Sequence, residues 1–138
     1  MKSLITALLV PSLLFIQLRK SAGQAPGQVI VYAKVSLEHL LDSMGAYHNK
    51  PIETMGYYVC GFEHSSIMLV IHHELAPDKK IYDWAREIWV DRQYSKTMMP
   101  CDSMFRRTIT VRGILDTSSH GHLGKYKATI KDAIVQLP

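Results

Sequence analysis

The sequence predicts a mainly β protein: a five-stranded, OB-like antiparallel β-barrel with a short N-terminal α-helix. Three observations predict it. Five segments have strand character, clusters of turn residues separate them, and a single segment of the mature chain has helical spacing. Five antiparallel strands between residues 36 and 138 leave the fewest unprotected edges when the sheet closes on itself. The OB-fold is the commonest five-stranded solution, and a small sandwich is the runner-up.

The chain begins MKSLITALLVPSLLFIQLRKSAGQ, with one positive charge and an uncharged apolar run from Leu4 to Leu18. Small residues Ser21, Ala22 and Gly23 follow. This order describes a secretory signal peptide over residues 1–23. The run is shorter than the roughly 20 residues a spanning helix needs, and Pro11 interrupts it. Arg19 and Lys20 stand before any cleavage site, so an uncleaved N-terminal membrane anchor is the alternative. Residues 24–35 read as a linker and residues 36–138 as the barrel domain. Export to the periplasm or beyond is the expected localisation, with membrane contact only through an uncleaved N-terminus.

In VSLEHLLDSMG, Ser36 precedes Leu37, Leu40, Leu41 and Met44 at helical spacing. Its hydroxyl suits the N-cap, and Gly45 is a natural stop. After Asn49-Lys50-Pro51 the period becomes two. Ile52, Thr54, Gly56, Tyr58 and Cys60 share one face. Glu63 to Ser66 reads as a polar turn and Ile67 to His73 as the second strand of a hairpin. Glu74 to Arg86 reads as a connection with a helical turn near Asp83. Glu87 to Asp91 is a short strand with Trp89 opposite Ile88 and Val90. An irregular loop follows, and then TITVRGILD and YKATIKDAIVQL alternate again.

Cys60 and Cys101 both fall in the mature part, where an even count in an oxidising compartment suggests a bridge. In an OB-like barrel the first and fourth strands pair. Cys60 ends the first and Cys101 closely precedes the fourth, so the two are expected to meet. The alternative is two unrelated buried thiols.

The formal charge of +4 includes Lys2, Arg19 and Lys20; without them thirteen basic residues face twelve acidic ones. Such a nearly neutral domain lacks the electrostatic footprint that binds phosphate backbones, so nucleic acid is not an expected partner. No nucleophile elbow, P-loop or His-Glu-x-x-His helix is present, so no enzyme activity and no cofactor is expected.

In LDTSSHGHLGKY the loop Asp116 to Gly124 reverses the chain. Gly121 or Gly124, or both, are expected at positive φ, and Asp116 is expected to bond locally. His122 is expected to be at least half covered, held by a loop carbonyl or by Asp116. These four form a structural loop. The metal reading uses His120 and His122 with His72 or His73, although their spacing matches no known zinc signature. The binding reading uses the barrel face, with Met68, Trp89, Arg92 and Tyr94 as ligand contacts for a sugar, a peptide or a flat molecule.

Taken in order, S-L-x-x-L, N-K-P, G-F-E, I-W-V-D, V-R-G-I-L-D, H-G-H-L-G and I-K-D span Ser36 to Leu137. The string resembles a group of small exported bacterial OB-fold-like proteins, mostly without an assigned activity. Their hallmark reads V-x-G-x-F-D, then G-H-M-G, then I-K-N. This chain departs from it at Leu123 in place of methionine, at Lys125-Tyr126 where the group tends to be apolar, and in its two cysteines. The resemblance implies fold and export and brings no activity. The expected role is therefore a non-catalytic binding or accessory module of the bacterial cell envelope, with an envelope protein, peptide or saccharide as partner. The alternative is a histidine-dependent metal-binding protein.

Overall fold

A computed structural model describes residues 29–73, 76–93, 101 and 105–138. The predicted signal peptide or anchor, the first part of the linker, and Tyr94 lie outside the described residues.

The chain runs β1 (Ala33–Lys34), α1 (Leu37–Asp42), a 3-10 turn (Met44–Tyr47), β2 (Pro51–Gly61), β3 (His64–Met68), β4 (Val70–His73) and β5 (Ala76–Tyr82). A second 3-10 turn (Trp84–Arg86) leads to β6 (Ile88–Arg92), β7 (Phe105–Asp116), a third turn (His122–Gly124) and β8 (Thr129–Gln136). The main sheet is ordered β1-β2-β3-β6-β8-β7, and β7 returns to pair with β2. The five strands β2, β3, β6, β8 and β7 thus close a barrel. The β6–β8 seam is parallel and the other four are antiparallel. Closure satisfies the backbone groups that an open sheet would leave bare.

The core follows from the period-two pattern. Ile52, Tyr58 and Cys60 of β2 are buried with Ile109, Val111 and Leu115 of β7 and Ile88 and Val90 of β6. The Ser36 hydroxyl caps α1 by accepting from the His39 amide at 3.3 Å. Leu37, Leu40 and Leu41 then bury their side chains on the barrel. Gly56 makes that contact close. A Cβ there would lie 2.5 Å from Leu37 Cδ2 and 2.8 Å from Ile67 Cγ1, so a side chain would force these two side chains to shift.

Cys60 and Cys101 form the expected disulfide, with Cα atoms 5.6 Å apart. The β2–β7 register sets this up, because Cys60 pairs with Phe105 at the start of β7. A bridge of this kind is consistent with an exported chain.

Several boundaries differ from the sequence expectation. The helix ends at Asp42 and gives way to the 3-10 turn, with Gly45 inside that turn and without positive φ. β3 begins at His64, so His64 to Ser66 are strand and not turn. The apolar run Ile67 to His73 is broken at Leu69. Its second half pairs with β5 in a separate two-stranded sheet, where a connection was expected. Alternation shows that a segment is extended but not which neighbour it takes. The last strand starts at Thr129, later than Tyr126. Ala33 and Lys34, at the end of the predicted linker, pair in parallel with β2.

Candidate ligand-binding cleft

Two chain reversals rise on one side of the barrel. The first is the two-residue turn Phe62-Glu63 between β2 and β3, closed by the pairing of Gly61 with His64. The second is the long loop between β7 and β8. It is built by short-range bonds. The Asp116 carboxylate accepts from the Ser118 amide at 2.9 Å and from its hydroxyl at 2.6 Å. The Gly121 amide donates to Thr129 Oγ1, which also donates to the Ser119 carbonyl, both at 3.1 Å. Hydrogen bonds from Ser118 and the Lys131 ammonium hold the Asp116 carboxyl well below the usual carboxylate range, Lys131 being the larger cause.

The glycines behave as expected. Gly121 and Gly124 have φ of 60° and 67°. Gly121 is also constrained by packing, since a Cβ there would fall 2.5 Å from Trp89. His120 closes the loop from the side: its Nδ1–H donates to the Tyr126 carbonyl at 3.0 Å, and the Tyr126 amide donates to the His120 carbonyl at 3.1 Å. His48, which the sequence does not single out, accepts from the Thr117 amide at 3.1 Å and so anchors the loop's start.

Between the two reversals lies a cleft of about 490 Å³. Its floor, formed by His64 and Glu87, rests on the buried Ser66 in a three-way contact. The Ser66 hydroxyl donates to Glu87 Oε2 at 2.5 Å, and His64 Nε2 lies 2.9 Å from the same hydroxyl and 3.3 Å from Glu87. The pairing of Ser66 with Trp89 across β3 and β6 sets the three groups together. Its walls are aromatic. His64 meets Trp84 and Tyr126 edge-on, with ring centres 6.3 and 6.0 Å apart. Burial, helped by the Glu87 charge, raises the Tyr126 phenol above its ordinary value. The rim carries Phe62 and Leu123, 92% and 71% exposed, and Lys125.

His122 is 36% exposed, so it is more than half covered. Its partner is neither a loop carbonyl nor Asp116. The ring stacks on Trp89 at 6.2 Å and its Nε2 faces Glu63 at 3.7 Å. His122 therefore bridges the two reversals. Glu63 and Leu123, one at each loop tip, both hold positive φ without being glycine, at 53° and 56°. Such conformations cost energy and persist where the surroundings impose them.

The four expected ligand contacts separate. Trp89 and Arg92 line a smaller hollow that continues the cleft past His64. Met68 does not face a ligand: it is fully buried, because every residue from Ser65 to Met68 is covered. Tyr94 lies outside the described residues. Among the described residues, the metal candidates do not form a set. His72 is on the β4–β5 hairpin and His120 is engaged with Tyr126, and the His73 side chain is outside the described residues. Among the described residues, no three of His, Cys, Asp and Glu are grouped to hold a metal ion.

The sequence reading missed His64, Ser66, Trp84, Glu87 and Tyr126 as a group. The signal available was the mixture of polar and aromatic residues at G-F-E-H and at D-W-A-R-E. No protein-family model, no curated protein and no solved structure matches this chain.

Proposed function

We propose that this chain is an exported, non-catalytic binding module of the bacterial cell envelope. Its ligand occupies the cleft between the β2–β3 turn and the β7–β8 loop. The observation that carries the reading is the exposure of Trp84 (51%), Phe62 and Leu123 around a single cleft. Large apolar side chains gathered at one exposed place mark interaction sites. The position supports it too, because OB-like barrels bind ligands on the second and third strands and on the two loops that flank this cleft.

The chemistry of the floor favours holding over reacting. A serine nucleophile must reach substrate and give its proton to a base. Ser66 is fully buried and its hydroxyl donates to Glu87. His64 presents the same nitrogen to Ser66 and to Glu87, whereas in a catalytic triad the acid holds the other ring nitrogen. Export is supported by the signal-like N-terminus and by the disulfide. The ordered motif string, with its resemblance to small exported bacterial proteins, supports the envelope setting.

The test is a titration of the labelled protein with a soluble muramidase digest of bacterial cell wall, followed by amide NMR. Shifts concentrated at Phe62 to Ser66, Trp84 to Trp89 and His120 to Tyr126 are expected, with the digest chemically unchanged. Shifts confined to the opposite side, around Lys34 to Leu37, would refute the placement. Cleavage of the digest would refute the non-catalytic reading.

A further inference from the structure

We infer that a second copy of this chain pairs with the open edge of β1, through residues 29–35, in an antiparallel two-fold dimer. β1 ends the order of the main sheet, and among the described residues it pairs with β2 alone. An edge of this kind takes up another strand unless charge, proline or a bulge guards it. The run Val29-Ile30-Val31-Tyr32-Ala33 carries neither charge nor proline. Val29 and Val31 are 84% and 79% exposed. By strand alternation they share a face with Val35, which packs against the core. The apolar stripe Val29-Val31-Ala33-Val35 thus starts at the core and runs off the barrel uncovered.

The stripe itself indicates what covers it. A strand without charge calls for a partner edge that is also apolar and uncharged, and this chain presents one. The only charge in residues 29–35 is Lys34, which faces Glu53 of its own chain at 3.7 Å. A hollow of about 570 Å³ adjoins the C-terminal end of the segment, lined by Lys34, Val35, Leu37, Met55 and Leu69 among others. An antiparallel partner reverses the segment and brings its own Val29 beside Val35, at the rim of that hollow. The two-fold axis repeats the contact on the other copy. A parallel partner in register would set Val29 beside Val29 and leave both hollows unfilled.

The backbone selects the register. The Val35 amide donates to the Glu53 carbonyl at 2.9 Å, so Val35 turns its N–H toward β2. In an extended segment the groups of Ile30, Tyr32 and Lys34 then turn outward. Placing Tyr32 opposite Tyr32 of the second copy, and Ile30 opposite its Lys34, engages all three. The same register sets both apolar stripes on one face. No residue from 29 to 38 lines the cleft between the β2–β3 turn and the β7–β8 loop, so the pairing uses none of its walls.

The test uses the full chain, expressed in a bacterial host and purified as the cell delivers it. Sedimentation velocity from low micromolar to several hundred micromolar concentration should show a monomer–dimer equilibrium. Val31→Asp, at a side chain exposed in the single chain, should weaken dimerisation at least tenfold and leave the melting temperature of the dilute protein unchanged. The two native cysteines are bridged to each other, so an introduced cysteine is the free thiol. Tyr32→Cys should yield a disulfide-linked dimer on mild oxidation, because the register brings its two Cα atoms to about 5.5 Å. Lys34→Cys, away from the axis, should not link. A monomer at every concentration overturns the inference. So does a dimer unaffected by Val31→Asp, or linking of Lys34→Cys in preference to Tyr32→Cys. A monomer that binds phosphatidylcholine vesicles through Val31 assigns the stripe to a membrane surface and overturns it as well.

Discussion

A Cβ added to Gly121 would lie 2.5 Å from Cγ of Trp89. The β7–β8 loop therefore rests directly on the β6 tryptophan, and the cleft wall depends on that contact. Gly121 also has φ 60° and ψ −155°, a region reserved for glycine. Gly124 has a similar φ of 67° but open space around it.

The two glycines should accordingly differ. Gly121→Ala is expected to cost at least about 2 kcal/mol, from backbone strain together with displacement of Trp89. Gly124→Ala is expected to cost about 1 kcal/mol from the left-handed backbone alone. Chemical denaturation of both variants gives the comparison. Equal losses would mean that contact with Trp89 does not set the loop.

The disulfide closes a loop between residues 41 apart in sequence. Its loss is expected to lower stability by about 3–4 kcal/mol in the chain-entropy view. Cys101→Ala is the better probe, because Cys60 is fully buried in the core and its replacement would disturb packing as well. The denaturation midpoint of Cys101→Ala should match that of the reduced parent. A midpoint unchanged by reductant would deny the bridge a stabilising role.

The Asp116–Lys131 pair gives stability a defined pH dependence. The Asp116 carboxyl is depressed by its bonds to Lys131 and Ser118, so its contribution is present above the ordinary carboxylate value and is lost as pH falls. The Lys131 ammonium is raised by Asp116, so its contribution is present below the ordinary lysine value and is lost as pH rises. Stability should hold between these limits, falling below about pH 4 and again above about pH 10. In Asp116→Asn both slopes should flatten. An acid limb that is as steep in the variant as in the parent would assign the loss to other carboxylates; Glu53, depressed by Arg112, is the first to examine.

The barrel was legible because its five strands carry their own period and clusters of turn residues separate them, while a capping serine marks the helix. The β4–β5 hairpin was not legible, since the run from Ile67 to His73 reads as one strand and breaks only at Leu69. The site was legible in part. Trp89 and the loop glycines carry local signals. His64, Ser66 and Glu87 do not, because Glu87 stands 21 residues beyond Ser66 and only the β3–β6 register brings them together. The burial of Met68 was not legible for a related reason: alternation gives two faces but not which of them a neighbouring element covers.

Arg86 connects the cleft to the helix at the barrel end. Its Nε donates to Asp83 at 2.7 Å and its Nη1 donates to Asp42, the last residue of α1, at 3.0 Å. The turn between those contacts carries Trp84, half exposed and held otherwise by ring contacts with His64 and Tyr82. The pair with Asp42 is exposed and the pair with Asp83 is part-buried, so their loss should change the denaturation midpoint modestly. Their effect should fall on the placement of Trp84. The chain has two tryptophans, so in a Trp89→Phe background the fluorescence reports Trp84 alone. Adding Arg86→Ala to that background should lower the steady-state anisotropy and increase quenching by acrylamide. High salt should move the Arg86 parent in the same direction, because screening weakens exposed pairs. Anisotropy that is the same with and without Arg86 would show that ring contacts alone hold Trp84 in the cleft wall.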